Sequence, residues 1–365
     1  MNKIPYCSPN SLGVDEKKLQ RAHQLVADVV EKGETPGAVY LVLFRKHIIA
    51  HYALGLRSLQ PSKTPVKLDT IYDLASLSKC VGTTTMALML LEQGLIRLDD
   101  SVAYFFPDLA EKKGQIRIRH LLTHTSGLPA WAPIYKQATS REDWLQALKE
   151  IQLEYTTRTK VTYSCLGFIL LGLILEKVAG ETLDGFLQRE VFTPLGMQDT
   201  KYNIGASERV APTEYSEERN GFILGEVHDE NAFSLGGVSG NAGLFSTAND
   251  LANFAAMLLA GGYWEGKRYL STRTIELMHQ NHTASLNDNR GLGWALKGEY
   301  SSGGDLLSSS SFGHTGFTGT SLWVDPSYDL AIILLTNRVH PTREGGNGII
   351  RLRALLANAV VASLP

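Results

Sequence analysis

Ser76 and Lys79 are a pair of residues whose types and spacing allow nucleophilic catalysis. They stand three residues apart at the start of an apolar segment, 76–93, which is predicted to be a helix that ends before Gly94. On a helix such side chains share one face, so the hydroxyl and the amine can meet. Ser76 also lies in the first turn, where free backbone N–H groups favour a developing anion. The pair is sufficient for a serine nucleophile if burial or neighbours tune the lysine pKa. A serine cap beside a solvated lysine is the alternative.

Tyr163 and the segment 312–319 offer two further chemical groups. Tyr163 begins an apolar segment predicted as a helix over 163–179, and beside a lysine its phenol can act as a base or a proton relay. The small residues of 312–319 run into a strand predicted over 320–324. They allow a substrate to lie along a strand edge whose backbone N–H groups can bind an oxyanion. Taken singly, these features also fit a core tyrosine and a glycine-rich turn.

Together the three motifs resemble those of the serine β-lactamase and penicillin-binding protein superfamily, which are SxxK, YxN and (K/H)TG in that order. Here they stand as Ser-Leu-Ser-Lys at 76–79, Tyr-Ser-Cys at 163–165 and His-Thr-Gly at 314–316. The nearest branch is the class C β-lactamase, D,D-peptidase and esterase group, and the resemblance extends from about residue 14 to the C-terminus. Further stretches that resemble this branch lie at 121–129, 194–197 and 243–251.

The resemblance implies a mechanism and a set of site residues. Ser76 would attack a carbonyl and form an acyl-enzyme, while Lys79 and Tyr163 would share the general-base and proton-relay work. The sequence does not decide which of them takes the serine proton. The backbone N–H groups of Ser76 and Phe317 would form the oxyanion hole. The implied substrate-binding residues are Cys165, His314, Thr315, Gly316, Asn231 and Asn241.

Several of these assignments carry an alternative or a departure from the family pattern. Cys165 stands where the family has an asparagine that contacts the substrate's amide, and a thiol cannot both donate and accept as an amide does. This favours esters slightly over β-lactams and peptides.

Ser-Gly-Asn at 239–241 is an alternative middle motif that fits the spacing less well. His314 replaces a lysine common among relatives, and titration near pH 6–7 predicts weaker carboxylate binding at higher pH. A self-bonded loop is the alternative for Asn231 and Asn241.

The elements that must position these groups come from both ends of the chain. A helix is predicted over 14–32, and two apolar runs, 37–44 and 47–55, predict an antiparallel hairpin. Near the other end we predict strands over 291–294, 321–324 and 330–336 and a helix over 346–363. The middle is mostly helical, with helices over 76–93, 163–179 and 249–259.

The predicted fold class is α/β (α+β): an antiparallel sheet flanked by helices, built from both termini, plus a mostly helical subdomain. The resemblance implies the β-lactamase and transpeptidase arrangement. We expect one catalytic domain over 1–365, with a sheet subdomain of approximately 1–75 with 285–365 and a helical subdomain of 76–284.

Composition excludes several classes of protein. The 365 residues include 35 Lys and Arg and 37 Asp and Glu, and this near-neutral balance argues against bulk-charge binding to nucleic acid or anionic membranes. Three cysteines without a CxxC pair exclude a disulfide framework and a thiolate-rich zinc site. His120 and His124 lack the glutamate of a zinc protease motif, and P-loop, GxSxG and dinucleotide motifs are absent. No metal or cofactor is therefore predicted.

The sequence therefore predicts a serine hydrolase acting through an acyl-enzyme. The leading interpretation is a peptidase or amidase on peptidoglycan-type D-amino-acid or muropeptide substrates. The alternatives are a carboxylesterase or β-lactamase of the same fold, and a penicillin-recognising protein with poor turnover. The expected partner is a small-molecule substrate selected by the cleft loops 129–140 and 283–312. The start of the chain shows no export signal and no apolar stretch could span a membrane, which predicts a cytoplasmic location, or an extracytoplasmic one if a signal has been removed.

Overall fold

The computed structural model of the protein describes residues 4–298 and 301–365. The described residues do not include 1–3 or 299–300. The first three belong to the segment used for the prediction about an export signal, and the other two belong to the predicted cleft loop 283–312. The α-helices are α1 (Glu16–Glu31), α2 (Thr85–Glu92), α3 (Val102–Phe105), α4 (Ala110–Lys113), α5 (Ile118–Leu122), α6 (Arg141–Glu150), α7 (Cys165–Ala179), α8 (Leu183–Leu187), α9 (Glu230–Ser234), α10 (Ala248–Leu259), α11 (Thr272–Met278) and α12 (Gly348–Ser363).

The strands and the other helical turns complete the chain. The strands are β1 (Gly37–Phe44), β2 (His47–Ser58), β3 (Thr64–Pro65), β4 (Tyr72–Asp73), β5 (Lys201–Tyr202), β6 (Tyr215–Ser216), β7 (Gly221–Phe222), β8 (Leu244–Ser246), β9 (Tyr263–Trp264), β10 (Lys267–Arg268), β11 (Ala295–Leu296), β12 (Phe312–Thr315), β13 (Ser321–Asp325) and β14 (Leu330–Thr336). Short 3₁₀-helices lie at Pro9–Leu12, Pro107–Leu109 and Ile134–Lys136, and π-helical turns at Lys79–Thr84 and Gln188–Phe192.

One antiparallel sheet joins the two ends of the chain. Its strand order is β11-β12-β13-β14-β1-β2-β3, so the first strand of the chain pairs with the last. β1 and β2 form the predicted hairpin through Arg45 and Lys46, whose φ angles of 47° and 64° suit a two-residue turn. The predicted fold class, an antiparallel sheet flanked by helices, is confirmed.

β1 is apolar on both faces because both faces are covered. Alternate side chains of a strand point to opposite sides of the sheet. One set packs in a core with α1 and α12, and the other set packs in a larger core with the helical part of the chain. The first set is Ala38, Tyr40, Val42 and Phe44, and the second is Val39, Leu41 and Leu43.

Capping side chains determine where two predicted helices begin. The Asp15 carboxylate accepts from the backbone N–H groups of Lys17 and Lys18 at 3.0 and 3.2 Å, which fixes the start of α1. The Ser164 hydroxyl accepts from the backbone N–H of Gly167 at 3.1 Å and caps α7. The helix therefore begins two residues later than predicted, which leaves Tyr163 outside it.

Other predicted elements differ from the structure. The predicted strand 291–294 is a turn, because Gly293 has a φ of 80° that an extended strand does not permit. The neighbouring strand is β11, and β12, which carries His314, was not predicted. The helix predicted over 76–93 includes a π-helical stretch over Lys79–Thr84 that precedes α2. No helix in the described part of the chain combines the length and the hydropathy needed to cross a membrane.

Candidate active site

The Ser76 hydroxyl and the Lys79 amine meet in a cleft of about 1100 Å³. Lys79 Nζ lies 3.0 Å from Ser76 Oγ, and the lysine is fully buried. Its Nζ also donates to the backbone carbonyl oxygen of Asn241 at 2.8 Å and to Cys165 Sγ at 3.5 Å. Lys79 is the first residue of the π-helical turn Lys79–Thr84, and π-helical turns are frequent at functional sites. The structure thus brings together the two residues that the spacing predicted to meet.

The backbone before Ser76 is held in an unusual conformation. Ala75 has a φ of 46°, which costs free energy for a residue with a Cβ and persists only where the surroundings hold it. The Asp73 carboxylate stabilises this conformation, because it accepts hydrogen bonds from the backbone N–H groups of Ala75 and His228, both at 2.7 Å. Burial raises the pKa of Asp73, and these two hydrogen bonds oppose that rise. No motif pointed to Asp73 or to its positioning role.

His124 positions Tyr163 in the cleft. The His124 Nδ1 accepts from the backbone N–H of Ser164 at 3.0 Å, and its ring centroid lies 4.5 Å from that of Tyr163. Lys79 Nζ lies 5.1 Å from the Tyr163 ring centroid. The Tyr163 hydroxyl is buried and has no hydrogen-bond partner among the described residues. It can therefore exchange a proton with a group that enters the cleft.

Lys79, Tyr163 and Cys165 titrate as one coupled group. Burial is the largest effect on each of them, and it raises the pKa of Tyr163 and of Cys165. Burial lowers the pKa of Lys79, whereas the ionised forms of Cys165 and Tyr163 raise it, so that the lysine pKa is raised when either neighbour is ionised. The protonation states of Lys79 and Tyr163 therefore depend on each other.

His314 on β12 is neutral, which the sequence did not predict. Its Nδ1 lies 2.8 Å from the Thr315 carbonyl oxygen, and since a carbonyl only accepts, Nδ1 carries the proton and Nε2 a lone pair. Burial, together with the positive charges of Arg290 and Lys79, lowers the pKa of His314 to about 3. The predicted titration near pH 6–7, and the pH-dependent carboxylate binding derived from it, are therefore wrong.

The turn after β12, residues 316–320, is fastened to the strand that leads to Ser76. The Thr318 hydroxyl donates to the carbonyl oxygen of Asp73 at 2.8 Å, and the Thr320 hydroxyl donates to that of Leu74 at 3.0 Å. Gly316 packs so closely against this strand that a Cβ there would lie 2.5 Å from the Leu74 carbonyl oxygen. These contacts fix the turn to the backbone that leads to Ser76.

Two backbone N–H groups are available to an oxyanion. Ser76 and Phe317 both line the cleft, and neither backbone N–H donates to another described residue. Two such donors are what the developing negative charge of an acyl-transfer reaction requires. The predicted substrate-binding residues that line the same cleft are Cys165, His314, Thr315 and Gly316.

Asn231 and Asn241 are buried behind the cleft wall and do not line it. The Asn231 amide bonds backbone groups of the loop 132–135 at 3.0 and 3.1 Å. The Asn241 amide donates to Asp229 at 3.1 Å and accepts from Ser239 at 2.7 Å. The structure does not support their predicted contact with substrate and fits the alternative of a self-bonded loop. The contact between Asn241 and the catalytic pair is made by its backbone carbonyl oxygen, which accepts from Lys79 Nζ.

The charged side chains of the cleft wall were not singled out from the sequence, although the loop 283–312, which holds Asp288 and Arg290, was predicted to line the cleft. Because they come from distant segments, only the folded chain reveals them. The basic ones are Arg290, Arg338, Arg343 and Arg353, and the acidic ones are Asp229, Glu230 and Asp288. Among the described residues no group of three or more His, Cys, Asp or Glu side chains is placed to hold a metal ion.

Comparisons with known proteins agree with this geometry. The family model described as Beta-lactamase matches residues 22–357. The N-acetylmuramyl-L-alanine amidase of Bacillus subtilis is 33% identical over 365 aligned positions, which cover 89% of this chain and 82% of the relative. A Salmonella gallinarum protein provisionally named a D-alanyl-D-alanine carboxypeptidase is 31% identical, with 92% of this chain and 86% of the relative covered. A class C beta-lactamase of known structure superposes with a TM-score of 0.77 over 96% of this chain and 97% of that one, at 19% identity, and so supports the fold.

Proposed function

This chain belongs to the beta-lactamase family, and we propose that it is a serine hydrolase that forms an acyl-enzyme on Ser76 and cleaves peptidoglycan-type peptides or amides. The observation that carries the proposal is the 3.0 Å contact between Ser76 Oγ and Lys79 Nζ in an open cleft. The substrate class rests on the names of the relatives, an amidase and a carboxypeptidase.

The proposed reaction follows from the positions of the groups. Ser76 Oγ attacks the substrate carbonyl while its proton passes to Lys79 or Tyr163, whichever of the two is in its base form, as a neutral amine or a phenolate. The free N–H groups of Ser76 and Phe317 stabilise the oxyanion, and losing one such donor typically slows catalysis by about 10²- to 10³-fold. Collapse of the intermediate breaks the C–N bond, and the leaving amine takes the proton through the unpartnered Tyr163 hydroxyl. Water then hydrolyses the acyl ester and frees Ser76.

An ester is the second candidate substrate, and Cys165 is the observation that favours it. Its Sγ lies 3.5 Å from Lys79 Nζ and lines the cleft where a side-chain amide would orient a peptide bond. A thiol donates and accepts only weakly, so it orients an amide poorly. An ester has no N–H to satisfy and depends less on that contact.

One experiment tests the acyl-enzyme and separates the substrates. Wild type and Ser76→Ala are incubated with a fluorescent penicillin, a chromogenic cephalosporin, a peptide ending in D-Ala-D-Ala and a p-nitrophenyl ester, and intact mass and product are measured. Ser62→Ala, at an exposed position outside the cleft lining, is the matched control. We expect adduct or turnover in wild type and the control, and neither in Ser76→Ala. Activity retained in Ser76→Ala contradicts the mechanism, and turnover of the ester alone selects the second candidate.

A further inference from the structure

His228 contacts the supports of both backbone N–H groups that are available to an oxyanion. It is buried in the cleft wall, and its own backbone N–H donates to the Asp73 carboxylate at 2.7 Å. The same carboxylate holds Ala75 in the conformation that precedes Ser76. The His228 ring stacks on the Phe317 ring, with 5.6 Å between the ring centroids and 23° between the ring planes. One residue therefore connects the backbone before the nucleophile with the second N–H donor.

Phe317 is held through both its carbonyl group and its ring. Its side chain is 48% exposed, so burial of apolar surface fixes it only weakly. The Arg338 Nε donates to the Phe317 carbonyl oxygen at 2.8 Å, and the Arg338 guanidinium lies 4.8 Å from the ring centroid. The His228 ring adds the stacking contact. These contacts fix the orientation of residue 317 and, with it, the direction of its backbone N–H.

The His228 ring is in turn anchored by a buried carboxylate. Glu214 is 7% exposed, and the Arg343 Nε donates to both of its carboxylate oxygens at 2.8 Å. Burial alone would raise the pKa of Glu214, but the hydrogen bonds from His228 and Arg343 lower it to about 2. The carboxylate is therefore ionised at neutral pH and only accepts. His228 Nε2, which lies 3.0 Å from Glu214 Oε1, carries the proton of this hydrogen bond.

We propose that His228, anchored by Glu214 and Arg343, is a positioning residue for the oxyanion hole. This inference rests on the proposed acyl-enzyme and names residues beyond its reacting groups on which its rate depends. The contacts of His228 with Asp73 and Phe317 are made before any substrate enters. Donors that are positioned in advance stabilise the developing charge without rearranging during the reaction. Loss of the ring should therefore weaken binding of the transition state more than binding of the substrate.

An ester and its thionoester, in which sulfur replaces the carbonyl oxygen, report on the oxyanion hole. Sulfur accepts hydrogen bonds more weakly than oxygen, so an intact hole favours the oxygen ester. We measure kcat/KM for p-nitrophenyl phenylacetate and its thionoester in wild type and His228→Ala. We expect the ratio of oxygen ester to thionoester to fall about tenfold or more in the variant, because acylation by the oxygen ester slows while its KM changes little.

Matched variants separate positioning from general damage to the fold, which urea unfolding monitors. His228→Phe keeps a ring to stack on Phe317 and should retain more of the ratio than His228→Ala. Glu214→Gln keeps an acceptor for His228 Nε2 and should likewise retain more than Glu214→Ala. His279→Ala is the control and should keep the wild-type ratio. The His279 ring stacks on that of Phe312, with 5.2 Å between the centroids and 19° between the planes, but does not line the cleft.

The outcomes separate this inference from the proposed function. An unchanged ratio in His228→Ala, with the oxygen ester still hydrolysed, overturns the positioning role and leaves the acyl-enzyme intact. An equal fall in His279→Ala also overturns it, because a general loss of packing would then account for the effect. If His228→Ala does not fold, His228→Gln, which keeps a donor to Glu214 but has no ring, takes its place.

A second readout applies if wild type hydrolyses neither ester. Phenylboronic acid adds to a serine hydroxyl as a tetrahedral anion, so its affinity reports on the hole without turnover. A loss of about tenfold or more in His228→Ala supports the positioning role, and equal affinity overturns it. If wild type shows neither turnover nor a boronate adduct, the proposed acyl-enzyme is overturned, and the positioning role with it.

Discussion

Lowering the pH from 7 to 5 should weaken the fold through His314. The imidazole is 5% exposed, and its pKa of about 3 in the folded chain compares with about 6.5 when unfolded. The unfolded state therefore takes up the proton first. This contribution to stability is complete above pH 6.5 and is lost as the pH falls from 6.5 towards 3. At pH 5 the loss from this residue is about 2 kcal/mol.

Urea unfolding of wild type and His314→Gln at pH 7 and pH 5 measures this contribution. Wild type should lose about 2 kcal/mol more than the variant over that interval, whatever the other titrating groups contribute to both. His47→Gln, in the β1–β2 hairpin and outside the cleft lining, is the control and should follow wild type. Over the same pH range we expect a flat KM for an ester that carries a carboxylate, such as 3-carboxyphenyl phenylacetate, because the neutral imidazole has no positive charge to lose.

Two results would refute this reasoning. Identical loss of stability in wild type and His314→Gln would mean that the imidazole is not held neutral by burial. A KM for the carboxylate-bearing ester that rises steeply between pH 6 and 7, and becomes flat in His314→Gln alone, would mean that the imidazole is a cation in the cleft. In that case the proton assignment at the Thr315 carbonyl would also be wrong.

Three further predictions follow from single contacts. Cys165→Asn should raise kcat/KM for a D-Ala-D-Ala peptide by about fivefold relative to that for the p-nitrophenyl ester, because the new amide gains roughly one hydrogen bond to the peptide. Steady-state kinetics with both substrates measures this ratio, and an unchanged ratio contradicts the prediction. Gly316→Ala should lower the free energy of unfolding by about 1–3 kcal/mol in urea, because its Cβ would lie 2.5 Å from the Leu74 carbonyl oxygen, and wild-type stability would mean that the turn adjusts freely. Asp229→Asn should move the pH profile of acylation to lower pH, because the Asp229 charge raises the pKa of Lys79, whereas an unmoved profile would show that this carboxylate does not act on the lysine.

Local signals in the sequence predicted the elements that hold the site. The hairpin of β1 and β2 and the approximate positions of α1, α7 and α12 follow from apolar runs and apolar periodicity. The contact between Ser76 and Lys79 follows from helical spacing, and a π-helical turn after the serine preserves it. These features depend on residues close together in the chain.

The properties that depend on tertiary burial could not be predicted in this way. The neutral state of His314 results from enclosure by residues such as Arg290 and Lys79, which no local pattern records. The short strand β12 lacks a strand-like apolar alternation, since it is a Phe-Gly-His-Thr segment whose pairing with β13 defines it. Only the folded chain shows that Arg338 and Arg353 line the cleft and donate to backbone carbonyls, because no spacing along the sequence indicates their neighbours.

The cysteine at position 165 need not impair acylation, because the strongest contacts of Lys79 lie elsewhere. Its Nζ is held at 2.8 Å by the Asn241 carbonyl oxygen and at 3.0 Å by Ser76 Oγ, against 3.5 Å for the thiol. The backbone carbonyl does not change with the side chain at position 165. What the thiol removes is an amide directed at the substrate. We therefore expect substrate recognition to depend on other groups that line the cleft, such as Thr315 and Arg290.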